Sequence, residues 1–195
     1  MRYIFIINPK AGAQDRSAEL KAAVAALPQK DQCEFYCTQS VGDATVYVKQ
    51  WCDEHPREEV RFIACGGDGT INEVFNGAAG RENVSVTCWP VGSGNDFVKV
   101  FGGSERFMDI GKLLTAPTRK LDLLKVGDRY SVNVVNFGFD TTVAITINQE
   151  REKTGQIGQR GKGVKHMVGN ADVEIPFFAA GGEDQAADEI VLEGF

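Results

Sequence analysis

Residues 60–73 read Val-Arg-Phe-Ile-Ala-Cys-Gly-Gly-Asp-Gly-Thr-Ile-Asn-Glu, and no linker separates the apolar run from the glycines or the glycines from the Thr-Ile-Asn-Glu segment. A short apolar run bounded by glycine reads as a buried strand, and the pattern after it reads as a helix. A strand that passes through glycines straight into a helix is the core of a βα unit, which commits the chain to a sheet covered by helices. Glycines let backbone N–H groups approach a ligand closely, and a helix N-terminus adds unpaired donors and partial positive charge. Gly66, Gly67, Gly69 and Thr70 therefore suit phosphate oxygens. Thr70 and Glu73 fit a capping box, which predicts a helix from about residue 70 to 76, closed by Gly77. Asp68 is the odd member, because a carboxylate repels phosphate unless a cation intervenes; Mg²⁺ would resolve the conflict. The alternative is a tight turn in which Asp68 only caps the helix.

The same alternation runs through the first half of the chain. Strands are expected at residues 2–7, 34–38, 60–65 and 84–91, with helices between them. The first helix places Leu20, Val24 and Leu27 on one face and stops at Pro28; the second covers 43–54 with Val46, Val48 and Trp51 as candidate core. A further short helix follows residue 95 and reaches Phe101. After Pro117 the pattern changes: 119–126 and 130–137 around Gly127-Asp128 look like an antiparallel hairpin, and 171–178 and 189–192 like further strands. The expectation is an α/β domain over 1–117, with a mainly parallel sheet and flanking helices, followed by an incomplete antiparallel β-rich domain over 118–195.

Two other polar turns end strands of that sheet. Pro90-Val91-Gly92-Ser93-Gly94-Asn95-Asp96 leads into a helix, so Ser93 and Asn95 could donate to phosphate or a base, while Asp96 could cap the helix or support a metal's water shell. Asn8-Pro9-Lys10-Ala11-Gly12 comes after the first strand, with Asn8 able to hydrogen-bond a ligand and Lys10 to screen phosphate charge, or simply to form a solvated turn. Loops at the carboxyl ends of strands in one α/β sheet are expected to line a common crevice.

The net charge of -6 argues against a nucleic-acid binder, which would show a basic face. Five cysteines without a CxxC pair, and histidines as far apart as His55 and His166, do not make a zinc site and read as free thiols of a cytoplasmic protein. The apolar opening at Tyr3–Ile7 is too short to span a bilayer. A basic, Gly-rich stretch (Arg151, Lys153, Arg160, Lys162, Lys165) is either a solvated loop or a surface for anionic lipid, and a purely acidic segment comes after it.

NPKAG, GGDGTINEVFNG and PVGSGNDF, in this order, resemble the diacylglycerol kinase catalytic family, which includes bacterial lipid kinases and sphingosine and ceramide kinases. NAD kinases and phosphofructokinases share forms of GGDGT; NEVFNG and GSGND favour the lipid kinases. Many bacterial members carry Thr at the position of Ser93, an exchange that keeps the hydroxyl. The resemblance implies an NAD kinase/diacylglycerol kinase-like nucleotide domain and then a β-sandwich, with ATP and Mg²⁺ as cofactors and a lipid substrate met at a membrane surface. It implies a nucleotide set of Asn8, Lys10, Gly66, Gly67, Asp68, Gly69, Thr70, Glu73, Gly92, Ser93, Gly94 and Asn95, and a metal network of Asp68, Asp96 and Asp122. The alternative for Asp122 is an outward-facing residue on an alternating strand. The family's general base lies in an Asp-Gly-Glu-like turn of the second domain, for which Gly181-Gly182-Glu183-Asp184 is at best a distorted counterpart. The expectation is a lipid kinase lacking part of its catalytic half, with room for a homodimer; the alternatives are a non-catalytic nucleotide-binding protein and a kinase of a soluble acceptor.

Overall fold

The computed structural model describes residues 1–133, 135 and 190–193. Its strands are β1 (Arg2–Ile7), β2 (Cys33–Cys37), β3 (Val60–Gly66), β4 (Val84–Pro90), β5 (Thr118–Leu121), β6 (Leu124–Val126), β7 (Arg129–Ser131) and β8 (Ile190–Glu193). Its α-helices are α1 (Ser17–Ala25), α2 (Asp43–Glu54), α3 (Asp68–Ala78), α4 (Asp96–Lys99) and α5 (Ile110–Thr115). One sheet has the order β2-β1-β3-β4-β8-β5. β2, β1, β3 and β4 are parallel, β8 continues parallel to β4, and β5 closes the sheet antiparallel to β8. β6 and β7 pair antiparallel as a separate ribbon.

Every residue of β3 and β4 is buried, at odd and even positions alike. Successive side chains on a strand point to opposite faces, so both faces of the sheet are covered, as parallel strands joined by helices require. Ile4, Phe5, Ile6, Phe62, Ile63 and Phe75 are among the fully buried side chains that fill the two layers. Arg61 is the charged exception, 4 % exposed in β3. Its guanidinium donates to Leu113 O at 2.8 Å, Ala116 O at 3.2 Å and Ser85 Oγ at 3.3 Å, which satisfies the last carbonyls of α5. Burial pulls its pKa down to about 10, so it remains charged at neutral pH.

Three local expectations are corrected. Val46 is 63 % exposed, because α2 buries Ala44, Val48, Trp51 and Cys52 at helical spacing and a residue two on from Ala44 lies on the opposite side. Gly77 does not end α3, which continues to Ala78; a Cβ there would stand 2.7 Å from Val48 Cβ and 2.8 Å from Thr45 O, so the residue sets how closely α2 and α3 pack. Residues 119–126 are not one strand: β5 pairs with β8, β6 pairs with β7, and Asp122-Leu123 links them. The β6–β7 turn does use Gly127-Asp128, with Gly127 at φ 61°, a region open chiefly to glycine.

The compact α/β unit comprises Met1–Val135 with Asp188–Phe195, so β5, β6 and β7 belong with it, beyond the division expected near 117. The expected strands at 171–178, the basic stretch 151–165 and the segment 181–184 lie outside the described residues, whereas the strand expected at 189–192 appears as β8. Among the described residues no helix is long and apolar enough to cross a membrane.

Candidate functional site

The loops after β1, β3 and β4 meet at the carboxyl end of the sheet, and each touches both of the others. Asn8 opens the first loop. Its N–H donates to Cys65 O at 2.9 Å, its Oδ1 accepts from the Lys10 N–H at 3.0 Å, and its Nδ2 donates to Thr70 Oγ1 at 3.1 Å. One asparagine thus shapes its own turn and fastens it to the loop after β3. The second and third loops join through Val91 N–H to Gly66 O at 3.0 Å and through direct backbone contact: a Cβ on Gly92 would lie 2.4 Å from Gly67 Cα. The first and third loops join at Gly12, where a Cβ would lie 2.2 Å from Val91 O and φ is 77°.

Thr70 is not the cap expected of it. α3 begins at Asp68 with Gly67 as its N-cap residue, and no side chain caps it. The capping box presumed that Thr70 stood outside the helix; two glycines, which carry no side chain to compete for the backbone, let the helix start earlier. Thr70 falls in the first turn, 6 % exposed, with its hydroxyl holding Asn8. Glu73 lies one turn on, and its carbonyl accepts from Thr45 Oγ1 at 2.9 Å. The four N–H groups at the start of an α-helix lack intrahelical partners, so this turn presents donors and the positive end of an eleven-residue helix.

Asp68 caps a helix other than its own. Its Oδ1 accepts from the Phe97 N–H at 2.9 Å, tying the loop after β3 to the first turn of α4. Its Oδ2 faces Gly94, where a Cβ would sit 3.1 Å from it and 3.6 Å from Asp96 Oδ2, so two carboxylates border one glycine. Asp96 also pairs with Lys99. Asp122 stands in the link between β5 and β6, and among the described residues no group of three His, Cys, Asp or Glu is placed to hold a metal ion. The structure therefore brings Asp68 and Asp96 together and leaves Asp122 outside any such cluster.

Asn95 takes the left-handed conformation (φ 48°, ψ 47°) that directs the chain from the loop into α4. Its Nδ2 donates to Gly92 O at 2.9 Å, so the donor foreseen for a ligand is used within the loop. Its Oδ1 is buried without a partner among the described residues, an acceptor that a donor would satisfy. Lys10, Gly69, Ser93 and Gly94 are exposed at the rim. Beneath the third loop, Phe75, Phe97, Phe101 and Phe107 pack ring against ring at centroid distances of 5.2–6.2 Å and hold α4 in place.

Sequence reasoning passed over Asn72 and Asn76, which hold the β6–β7 ribbon against α3. Two amides one turn apart on a helix with an apolar face were the signal. It also passed over Arg16, whose guanidinium lies 4.8 Å from the ring centroid of the buried Trp89; nothing in the local pattern marks that pair.

The sequence model described as diacylglycerol kinase catalytic domain matches residues 2–126, a span that includes all three loops. The chain belongs to this family. It is 32% identical over 142 residues to diacylglycerol kinases of Staphylococcus aureus strains bovine RF122 / ET3-1 and MRSA252, covering 71% of this chain and 44% of each relative. A solved structure, a diacylglycerol kinase from Bacillus anthracis str. Sterne, superposes with a TM-score of 0.54 at 28% identity, covering 66% of this chain and 47% of that one. The chain spans about half the length of these relatives. The α/β fold and the kinase family are thus shown together.

Proposed function

We propose that the three-loop site binds ATP with Mg²⁺ and that the chain serves transfer of the γ-phosphoryl group to a lipid hydroxyl, with diacylglycerol or a related lipid as acceptor. The observation that carries the reading is Gly69. The other glycines around it are accounted for by contacts within the protein, but a Cβ at Gly69 would meet nothing within 4 Å. A glycine in a helix costs roughly 1 kcal/mol relative to alanine, so the empty space beside it favours a ligand that approaches the backbone there.

When bound, Mg²⁺·ATP supplies the transferable phosphoryl group and the cation that screens it. The chain's own part is to bind and orient. The first-turn N–H groups of α3 receive phosphate oxygens, the exposed Lys10 ammonium offsets their charge, and Ser93 offers a hydroxyl at the rim. Asp68 Oδ2 and Asp96 are hard oxygen donors suited to a Mg²⁺ that keeps most of its water. Asp122 would complete that set as the family resemblance implies. Catalysis of this kind is almost wholly positioning and electrostatic stabilisation. The encounter with a lipid acceptor takes place at a membrane surface, and the basic residues 151–165 would favour anionic headgroups.

The test measures Mg²⁺·ATP affinity by calorimetry, then ³²P transfer to diacylglycerol in mixed micelles, to NAD and to a sugar phosphate. Mg²⁺·ATP affinity is expected, with any transfer going to the lipid alone. Affinity without transfer to any acceptor would make this chain a nucleotide-binding protein, and transfer to NAD would move it to the soluble-substrate kinases. Sedimentation with vesicles that does not depend on their anionic lipid content would sink the role of the basic residues.

A further inference from the structure

Asn76 makes three hydrogen bonds with its side-chain amide. Nδ2 donates to Tyr130 O at 2.8 Å and to Asn72 O at 2.8 Å, and Oδ1 accepts from the Tyr130 N–H at 2.8 Å. One turn earlier, Asn72 Oδ1 accepts from the Val132 N–H at 3.3 Å. In an antiparallel ribbon the N–H and C=O of one residue point to the same side. Those of Tyr130 point to Asn76, so they are the pair turned away from β6, the pair that a third strand would take. The Asn76 amide stands in for that strand with one donor and one acceptor at peptide spacing. An aspartate lacks the donor and an alanine lacks both.

The substitution of helix for strand has a physical purpose. β6 and β7 are three residues each, and an isolated ribbon of that length does not persist in water. Docking on α3 gives it a partner, and α3 is the helix whose first turn forms the loop after β3. A rigid element of eleven residues therefore has the phosphate-facing turn at one end and the ribbon on its side.

We propose that Asn76, assisted by Asn72, is a positioning residue: it fixes the β6–β7 ribbon to the helix that bears the phosphate loop, so that the chain continuing past Val132 departs from a set place relative to that loop. Its consequence for turnover rests on the phosphoryl-transfer reading; the docking does not.

The test compares Asn76→Asp and Asn72→Ala with the wild-type chain by amide hydrogen exchange, Mg²⁺·ATP calorimetry and steady-state transfer. Asn76→Asp keeps the acceptor but sets a carboxylate oxygen against two carbonyls. The Tyr130 and Val132 amides should then exchange about tenfold faster or more, while Phe5 and Ile63 in the sheet stay protected. Mg²⁺·ATP affinity should hold within about twofold, with kcat falling about tenfold at unchanged KM for ATP. Asn72→Ala should free Val132 and leave Tyr130 protected. Unchanged exchange at both amides would overturn the proposal. So would loss of ATP affinity alongside ribbon release, which would mean damage to α3, or an unchanged kcat with the ribbon free. A wild type that transfers to NAD or a sugar phosphate and not to the lipid would refute the lipid kinase reading, and the exchange and affinity arms would then decide the role of Asn76 alone.

Discussion

At the scale of single residues, the glycines of the site divide by what surrounds them, and this division separates folding from binding. Gly92 lies so close to Gly67 that a methyl group there would stand 2.4 Å from a backbone carbon, a contact that only a shift of the main chain can relieve. Gly92→Ala is expected to lower stability by about 1–3 kcal/mol, as overpacking does, and to abolish Mg²⁺·ATP binding as the two loops part. Gly69 has open space beside it and sits in the first turn of α3. Gly69→Ala is therefore expected to leave the melting temperature unchanged or raised, since alanine is the better helix former by roughly 1 kcal/mol. Its Mg²⁺·ATP affinity should nonetheless fall about tenfold or more as the methyl group meets the ligand. Paired thermal melts and calorimetry check both; a Gly69→Ala protein that binds nucleotide as well as wild type would remove the main support for a phosphate at that turn. Residue types were legible here because Gly, Asn and Asp between a strand and a helix have few uses. Their partners were not: that Asp68 caps the helix of another loop, or that Thr70 holds Asn8 and not its own helix, depends on contacts between residues 29 and 62 positions apart.

At the scale of elements, periodicity located β1, β3, β4 and α1 to α3 because each buries a continuous stripe or run, and it gave the range of α2 to the residue; β2, an edge strand with no buried residue, was legible from its apolar and aromatic residues instead. It failed where a residue's role is set by a neighbouring element. Gly77 reads as a helix end in isolation, yet its missing side chain admits Val48 and Thr45 of α2. Residues 119–126 read as one strand, yet their first half pairs with β8, which lies about seventy positions further along the chain. The Gly77 contact yields a signed prediction. On helix propensity alone Gly77→Ala would stabilise by roughly 1 kcal/mol. With a Cβ placed 2.7 Å from Val48, overpacking should win, and the net result should be a loss of about 1–2 kcal/mol by urea denaturation. Val48→Ala alone should also destabilise, through the cavity it leaves. The double variant should be only slightly less destabilised than the sum, because Val48→Ala removes the Cγ1 that would stand 2.9 Å from the new methyl group and leaves the Val48 Cβ position and Thr45 O in place. A Gly77→Ala protein as stable as wild type or more so would show that α2 and α3 do not meet at this point.

At the scale of the whole molecule, the interior encloses thiols of the sheet and of α2 that give the α/β unit an alkaline limit. Cys52, Cys65 and Cys88 are buried and free. Burial raises the Cys52 thiol from 9.0 to about 11, and it pushes Cys65 and Cys88 upward too, with neighbouring thiols adding to the effect at Cys65 and Asp68 at Cys88. A thiol whose pKa is raised on folding binds its proton more tightly in the native state. Its contribution is complete below the unfolded value near 9 and is lost as pH climbs from there towards the folded value. Each such thiol contributes a slope of up to about 1.4 kcal/mol per pH unit in that interval. Tyr36 and Tyr47, also raised by burial, act in the same direction from their ordinary value of 10.0. Arg61, lowered to about 10, acts oppositely but only above that pH. The interval from pH 9 to 10 therefore isolates the thiols. Urea midpoints should be level between pH 7 and 8, then fall steadily from about 9. Cys52→Ala should begin from a lower midpoint, because it opens a small cavity, yet decline less steeply with pH because one fewer proton is at stake. Equal slopes for the two proteins between pH 9 and 10 would mean that Cys52 ionises in the folded chain as it does in water, and that the interior beside α2 is open to solvent.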